Sequence, residues 1–325
     1  MKILYGVNGT GQGHVTRAKQ LLPALREKHD VDVLLSGKGN PLALDFDVKY
    51  SPKGFTFFFK GEKISYWRTF YNNSILTFIK DCSDLDISAY DLVISDFEPI
   101  TAWTAKAKRK KCIHYSHQAC FFSRKPPRPA KKDYLAEAFM RLYCPSNHVI
   151  ASHYKKYEEW FFHPTMSDKV ADAVPIDMGH VTVYMSSLTT EFLLGIFRKF
   201  PDRDFHVFSP KCHQKEVRGN VHLMPISSEG FLKSLVTSNG VICGAGFGLP
   251  GEAMFLNKRL LAIPIKNQYE QACNAASLKE MGVSTSDELT EEVVRSWLVS
   301  SSAVPLERHT PIEKIVEKIE QYAKE

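Results

Sequence analysis

The stretch from Val241 to Gly282 reads V-I-C-G-A-G-F-G-L-P-G-E-A-M-F-L-N-K-R-L-L-A-I-P-I-K-N-Q-Y-E-Q-A-C-N-A-A-S-L-K-E-M-G. It opens on an apolar run of strand type, Gly240 to Cys243, and then meets Gly244, Gly246, Gly248 and Gly251. Glycines leave the backbone nearly bare, and a helix is expected to begin near Pro250 with Glu252 in its first turn. Bare N–H groups leading into a helix N-terminus form an anion site suited to a diphosphate. The same turn also suits tight strand-to-helix packing, where glycine serves only for space. The turn by itself leaves both readings open. The residues downstream favour the first: after a strand from Arg259 to Pro264 come Glu270-Gln271 and Asn274-Ala275. On a loop at the end of a parallel strand, carboxylate and amide side chains are placed to hydrogen-bond sugar hydroxyls.

Outward from this stretch, strands and helical segments alternate. In the second half His180–Met185, Asp204–Ser209 and Val221–Pro225 read as strands, with a helix over Gly230–Thr237. In the first half Lys2–Val7, Val31–Leu35, Asp91–Ser95 and Lys111–Tyr115 read the same way. Ala18, Leu21, Leu22 and Leu25 give the first helix an apolar face, and Pro23 is expected to kink it. Strands separated by helices predict parallel sheets covered on both faces. The pattern restarts after an irregular stretch near Phe161 to Asp177. The expected architecture is α/β, with two Rossmann-like domains facing a cleft: 1–164, 165–309, and a C-terminal helix in 310–325. Thr310-Pro311 looks like the N-cap and first residue of that helix.

A second glycine-rich turn, Gly6-Val-Asn-Gly9-Thr-Gly11-Gln-Gly13-His14, follows the first strand. It fails the dinucleotide fingerprint, because His14 stands where a glycine is needed, and it lacks the Gly-Lys-Ser/Thr of a P-loop. Asp96-Phe97-Glu98-Pro99 lies at another strand end, so either carboxylate is a candidate base or acceptor ligand. Capping of the next helix by Asp96 is the alternative. Ser186 and Ser187, after the first strand of the second half, suit either helix capping or a ligand. His114, His117 and Gln118 edge the same crevice and read more readily as structural groups.

Gly246-x5-Glu252-Ala253 followed by Pro264-x5-Glu270-Gln271-x-x-Asn274-Ala275 resembles the donor-binding region of GT-B glycosyltransferases. The kin are the peptidoglycan lipid-linked N-acetylglucosaminyltransferase and the UDP-glycosyltransferases. The resemblance implies that Glu252 holds ribose hydroxyls of a uridine nucleotide. It implies that Gly244, Gly246, Gly248, Ser186 and Ser187 approach the diphosphate, and that Glu270 and Gln271 contact the donor sugar. Glu270 departs from the usual Asp, and Gly244 stands where UDP-glycosyltransferases carry His. The turn ending in Gly13-His14 is similar to the one opening the acceptor domain, so Gly11 and Gly13 belong with the donor phosphates. His14 then lies near the donor diphosphate and the acceptor hydroxyl, as a base or as a residue that orders the turn or binds anions. The implied reaction is an inverting, metal-independent transfer of a sugar from a UDP-linked donor to an acceptor hydroxyl, with no cofactor. Two rivals share the fold: a non-hydrolysing nucleotide-sugar 2-epimerase and a non-catalytic nucleotide-sugar-binding protein.

Composition fits this class. Of 325 residues, 44% are hydrophobic and 24% charged, and the net charge is +6. The run from Lys106 to Lys132 holds ten Lys or Arg and no acid. Such a run attracts phosphate-bearing partners or an anionic membrane, or is simply a solvated face with a loop. Aromatic and basic residues are not interleaved as in an RNA-binding module, which argues against nucleic acid. Phe55, Phe57, Phe58, Phe59, Tyr66, Trp67, Phe70 and Tyr71 read as core or as the lining for a lipid-linked or aromatic acceptor. The acceptor is otherwise open, a lipid-linked molecule or a glycan. Seven cysteines without a C-x-x-C pair, and histidines without H-E-x-x-H, point to reduced thiols and no metal site. No apolar run reaches the roughly 20 residues of a membrane span. With a first strand beginning almost at Met1, a cytoplasmic protein is expected, with peripheral contact at the inner membrane face if the acceptor is lipid-linked.

Overall fold

Two parallel sheets organise the computed structural model, which describes residues 1–10, 12–37, 44–53, 59–60, 63–64, 74–306 and 308–325. Gly11 and the side chains of the aromatic run between 55 and 71 lie outside the described residues. The chain forms β1 (Lys2–Asn8), β2 (Asp30–Ser36), β3 (Phe59–Lys60), β4 (Lys63–Ile64), β5 (Leu92–Asp96), β6 (Cys112–Ser116), β7 (His148–Ser152) and β8 (Phe161–Phe162). The first sheet has the order β2-β1-β5-β6-β7-β8 with every pairing parallel. The hairpin β3–β4 stands outside it.

The second sheet uses β9 (Val181–Tyr184), β10 (Phe205–Ser209), β11 (Glu216–Arg218), β12 (Val221–Pro225), β13 (Gly240–Gly244), β14 (Arg259–Ile263) and β15 (Ser284–Thr285). Its order is β11-β12-β10-β9-β13-β14-β15, with only the edge strand β11 antiparallel. This is the two-domain arrangement the alternation predicts.

Central strands are apolar on both faces because helices cover both. Along β1, Ile3, Tyr5 and Val7 pack with Leu21, Leu22 and Leu25 of the helix Gln12–Arg26, while Leu4 points the other way, toward Ile100 and Ala105. The last helix, Ile312–Lys324, returns to this first domain. Ile315, Val316 and Ile319 bury completely against the first helix, each contributing about 1.5–3 kcal/mol of apolar burial.

Several boundaries differ from the sequence reading. Pro23 sits inside the first helix, on an exposed face. The helix after the glycine-rich turn begins at Gly248, before Pro250. Glu270 to Asn274 lie in the first turns of the helix Tyr269–Glu280 rather than on a loop. The irregular stretch contains β8 and the short helix Asp168–Ala171. Pro311 takes the N-cap position itself, and the buried Thr310 donates its N–H to Pro164 O instead. Among the described residues no helix is long and apolar enough to cross a membrane.

Strand order reverses between β1 and β5 in the first sheet and between β9 and β13 in the second. Ligands of open α/β sheets bind outside the strand C-termini at such switch points. The two switch points face each other across a cleft. The domains meet in an apolar contact of Cys120 and Phe121 with Tyr269 and Cys273, joined by polar links.

Candidate active site

At the first switch point His14, three residues into its helix, meets Asp96, the last residue of β5. His14 Nδ1 lies 2.7 Å from Asp96 Oδ1. Arg17 is one helical turn beyond His14, so both side chains share a face. Its Nε and Nη2 donate to Asp96 Oδ2 and Oδ1 at 2.8 and 3.0 Å. The Tyr5 hydroxyl adds a donor at 3.3 Å. Burial alone would raise the Asp96 pKa, but the Arg17 charge and the His14 contact hold it below the usual carboxylate range. Asp96 therefore stays ionised, fully buried and saturated with donors. An ionised acceptor on Nδ1 fixes the proton there and leaves Nε2 of His14 as the basic nitrogen. Among the described residues Nε2 has no partner.

Phe97 follows with φ 50° and is buried against Tyr143. A left-handed phenylalanine costs on the order of 1–3 kcal/mol and persists only where its surroundings enforce it. Here Asn8 Nδ2 donates to its carbonyl at 2.9 Å. The turn sends Glu98 away from the cleft. Glu98, not Asp96, caps the helix Pro99–Ala107, accepting from Ile100 N and Thr101 N at 2.9 and 2.7 Å. Ser36 and Thr101 hydroxyls complete its shell at 2.6 and 2.7 Å, and the residue is fully buried. Its oxygens are spent on the cap, away from solvent, and burial raises its pKa. The Cβ of any residue larger than glycine at Gly6 would collide with Thr101, so that glycine serves the cap.

At the second switch point the side-chain cap of the helix Thr190–Phe197 is Thr189, which leaves Ser186 and Ser187 in the turn after β9 without a capping task. The helix Gly248–Phe255 starts on Phe247 with no side-chain cap. A Cβ at Gly246 or Gly248 would meet open space, and neither glycine has a left-handed φ. Packing and conformation therefore require glycine at neither position. The same openness holds at Gly13. The side chain of Glu252, in the first turns of that helix, has no hydrogen-bond partner among the described residues, and burial pushes its carboxyl up to about 7. An unpaired carboxylate beside an uncapped helix start is an acceptor awaiting hydroxyl donors.

Gln271 Oε1 accepts from Ile265 N at 3.0 Å. Its amide nitrogen has no partner among the described residues. Glu270 Oε2 accepts from Gln118 Nε2 of the other domain at 3.1 Å, with its second oxygen unengaged among the described residues. Asn274 is buried, with its oxygen engaged by His117 and its nitrogen by Ala245 O, and burial keeps it from a sugar.

The family model described as Glycosyl transferase family 1 matches residues 1–302. The chain belongs to that family. It is a glycosyltransferase, as the sequence motifs imply. No curated protein matches it. Among solved structures it is similar to Staphylococcus aureus MnaA in complex with UDP, at 11% identity over 99% of this chain and 97% of that one, with a TM-score of 0.63. It is also similar to Acinetobacter baumannii MurG, at 13% identity over 98% and 99%, TM-score 0.59. Phytolacca americana UGT2, complexed with UDP-2fluoro-glucose and pterostilbene, matches at 12% identity over 99% and 93%, TM-score 0.58. At these identities the likeness is one of fold.

For this glycosyltransferase, the structure brings His14 and Asp96 into contact and gathers Gly244, Gly246, Gly248, Glu252, Glu270 and Gln271 at the other switch point. It removes Glu98. Sequence reading missed Arg17 and Tyr5, which share Asp96. Arg17 carried a signal, standing at helical spacing from His14. Half of the ten basic residues in the run are engaged: Lys108 and Lys110 donate to carbonyls of residues 85, 88 and 90, Lys111 to Ala323 O, Lys125 pairs with Glu158 at 2.8 Å and Arg128 with Glu137 at 2.7 Å. Among the described residues no group of His, Cys, Asp and Glu is arranged to hold a metal.

Proposed function

We propose that the protein transfers a sugar, with inversion and without a metal, from a UDP-linked donor to an acceptor hydroxyl. Residues 1–164 take the acceptor, residues 165–309 the donor, and the helix in 310–325 braces the first domain. The observation that carries the reading is Glu252: an unpaired carboxylate beside an uncapped helix start, with open space over Gly246 and Gly248. That set suits the ribose hydroxyls and the diphosphate of one nucleotide. Ser186, Ser187, Gly13 and Gly244 border the same diphosphate. The free Glu270 oxygen and the Gln271 amide suit sugar hydroxyls. The UDP and UDP-sugar named for two structural neighbours support uridine as the base.

In this mechanism His14 Nε2 takes the acceptor proton as the oxygen attacks the anomeric carbon. The bond from that carbon to the diphosphate breaks, and its electron pair leaves on the diphosphate. Asp96 stabilises the imidazolium through Nδ1–H, the role of the third member in a nucleophile–base–acid set. Backbone N–H groups and the helix start stabilise the leaving group. Asp96 and Glu98 are both shielded from the cleft, so neither offers a nucleophile for a double displacement. A single displacement inverts the centre.

Thermal shift with a panel of nucleotide-sugars tests the donor. A bound donor at a hundredfold excess over its Kd adds about 2.7 kcal/mol, and no shift with any uridine nucleotide overturns the reading. Turnover in excess EDTA tests metal independence. NMR of donor alone separates transfer from 2-epimerisation, since only an epimerase converts the donor without acceptor.

A lipid-linked acceptor is favoured by one surface. The helices Ile75–Asp84 and Tyr134–Tyr143 expose Leu76, Ile79, Leu135 and Leu142 beside an apolar groove lined by Phe78, Trp103 and Phe139. Lys106 stands 4.8 Å over the Trp103 ring. An apolar face with basic residues near it suits an anionic membrane. Sedimentation with anionic vesicles that weakens with salt is expected, and its absence at low salt points to a soluble acceptor.

A further inference from the structure

The turn from Gly244 to Gly248 is gripped by the opposite domain. Tyr154, just after β7, places its hydroxyl 3.1 Å from Gly246 O and 3.0 Å from Phe247 O, sharing one proton between two carbonyls. His117, just after β6, stacks on the Phe247 ring at 4.0 Å and 11°. Its Nδ1 is 2.8 Å from Ser152 O and its Nε2 2.6 Å from Asn274 Oδ1. Asn274 Nδ2 in turn donates to Ala245 O at 3.0 Å. Tyr154, His117 and Asn274 are all buried, to 2% exposure or less.

Three consecutive carbonyls, of Ala245, Gly246 and Phe247, are thus tied to one cluster. In a trans peptide the C=O and the following N–H point in opposite directions. Tying those carbonyls turns the N–H groups of Gly246, Phe247 and Gly248 away from the cluster. The Gly246 and Phe247 N–H groups have no acceptor among the described residues, and Gly246 and Gly248 border open space. Adjacent amides aimed the same way form an anion-binding concavity. Phe247 O also accepts from Gly251 N at 3.4 Å, within its own helix, but without the ties the peptide units after Ala245 and Gly246 could rotate and their donors would have to be ordered at binding.

We propose that Tyr154 and the His117–Asn274 pair are positioning residues for the diphosphate of the donor, with Tyr154 and His117 reaching the turn from the acceptor-side domain. They touch no reactant. They fix the backbone that does, so the donor site is complete only while the two domains stay in register. This role rests on the nucleotide-sugar reading of the cleft.

The test is calorimetric binding of UDP and of uridine to the full-length protein and to Tyr154→Phe, with melting followed alongside. Phenylalanine keeps the ring and deletes the hydroxyl. UDP binding is expected to weaken roughly three- to tenfold, the worth of one to two such bonds, while uridine binding stays within about twofold. Asn274→Asp keeps an acceptor for His117, loses the donor to Ala245 O, and should show the same selective loss. It decides the matter if Tyr154→Phe does not fold. Equal weakening of both ligands makes these residues merely structural and overturns the proposal, as does unchanged UDP affinity in the variants. If the unaltered protein binds neither ligand, the nucleotide reading falls and this inference with it.

Discussion

Asp96 Oδ1 accepts from His14 Nδ1 at 2.7 Å across 82 positions of sequence, joining the ends of β1 and β5, the two strands that flank the first switch point. The contact exists because β5, not β3 or β4, lies beside β1. The strand order thus brings together a candidate base and a carboxylate to orient it, residues that no local motif connects. Arg17 holds the same carboxylate from the other side, so Asp96 is fixed in place and in charge.

His14→Ala should therefore act on chemistry. As a general base His14 contributes typically a hundredfold or more to turnover, so kcat should fall by about that factor while UDP affinity and Tm change little. An anion ligand would instead lose donor affinity together with turnover. A residue that only orders the turn would lower Tm, with activity tracking the folded fraction. Measuring all three on one variant separates the cases, and kcat within a few-fold of the parent removes His14 from the base role.

Much of the fold was legible because both halves carry their signals locally. The apolar runs of β1, β5 and β13 and the glycines after β1 and β13 need only a few neighbours to be read. That Gly246, Glu252, Glu270 and Gln271 gather at one switch point was legible for the same reason: they stand close together in the chain. The rest depends on contacts between distant segments. Nothing near Tyr154 announces that its hydroxyl reaches Gly246 O. The alternative that Asp96 caps the next helix failed for a local reason, however. Pro99 occupies the first helical position, which makes the preceding residue, Glu98, the N-cap.

Glu98→Ala should lower stability rather than chemistry. It removes an N-cap worth about 1 kcal/mol and leaves the buried Ser36 hydroxyl without its acceptor, at roughly 1–3 kcal/mol, while the Thr101 hydroxyl keeps the backbone carbonyl of residue 98 at 3.3 Å. Tm should drop by several degrees, since about 2–4 °C accompanies each kcal/mol in a domain of this size. Activity per folded molecule should remain within a few-fold. A large loss of kcat at unchanged Tm would return Glu98 to the chemistry.

The glycines separate into two kinds that substitution should distinguish. Gly6→Ala collides with Thr101 beneath the Glu98 cap and should destabilise the first domain. Gly246→Ala meets open space at an ordinary φ, so the fold should tolerate it and even gain about 0.4–1 kcal/mol through the unfolded chain. Its methyl group, however, would stand where the diphosphate approaches. UDP affinity should fall while Tm holds or rises, as read by calorimetry and thermal melting. Retained UDP affinity would show that the diphosphate lies elsewhere.

Glu252 links donor binding to pH. Burial raises its carboxyl from 4.5 to about 7, and ribose hydroxyls are held by the ionised form. UDP affinity should therefore rise from pH 6 to 8, by up to about tenfold per pH unit below the pKa, and level off above it. Glu252→Gln should bind UDP more weakly and with a flatter profile. The stability effect has the opposite sign. A carboxyl whose pKa is raised on folding contributes stability that is complete below 4.5 and is lost as pH rises through 7. The loss is at most about 3 kcal/mol at 1.36 kcal/mol per unit. At pH 8 without ligand, Glu252→Gln should thus melt above the parent protein, and saturating UDP should reverse the order. Melting curves of both proteins at pH 5 and pH 8, with and without UDP, decide it. A variant that binds UDP as tightly as the parent at every pH takes Glu252 out of the ribose site.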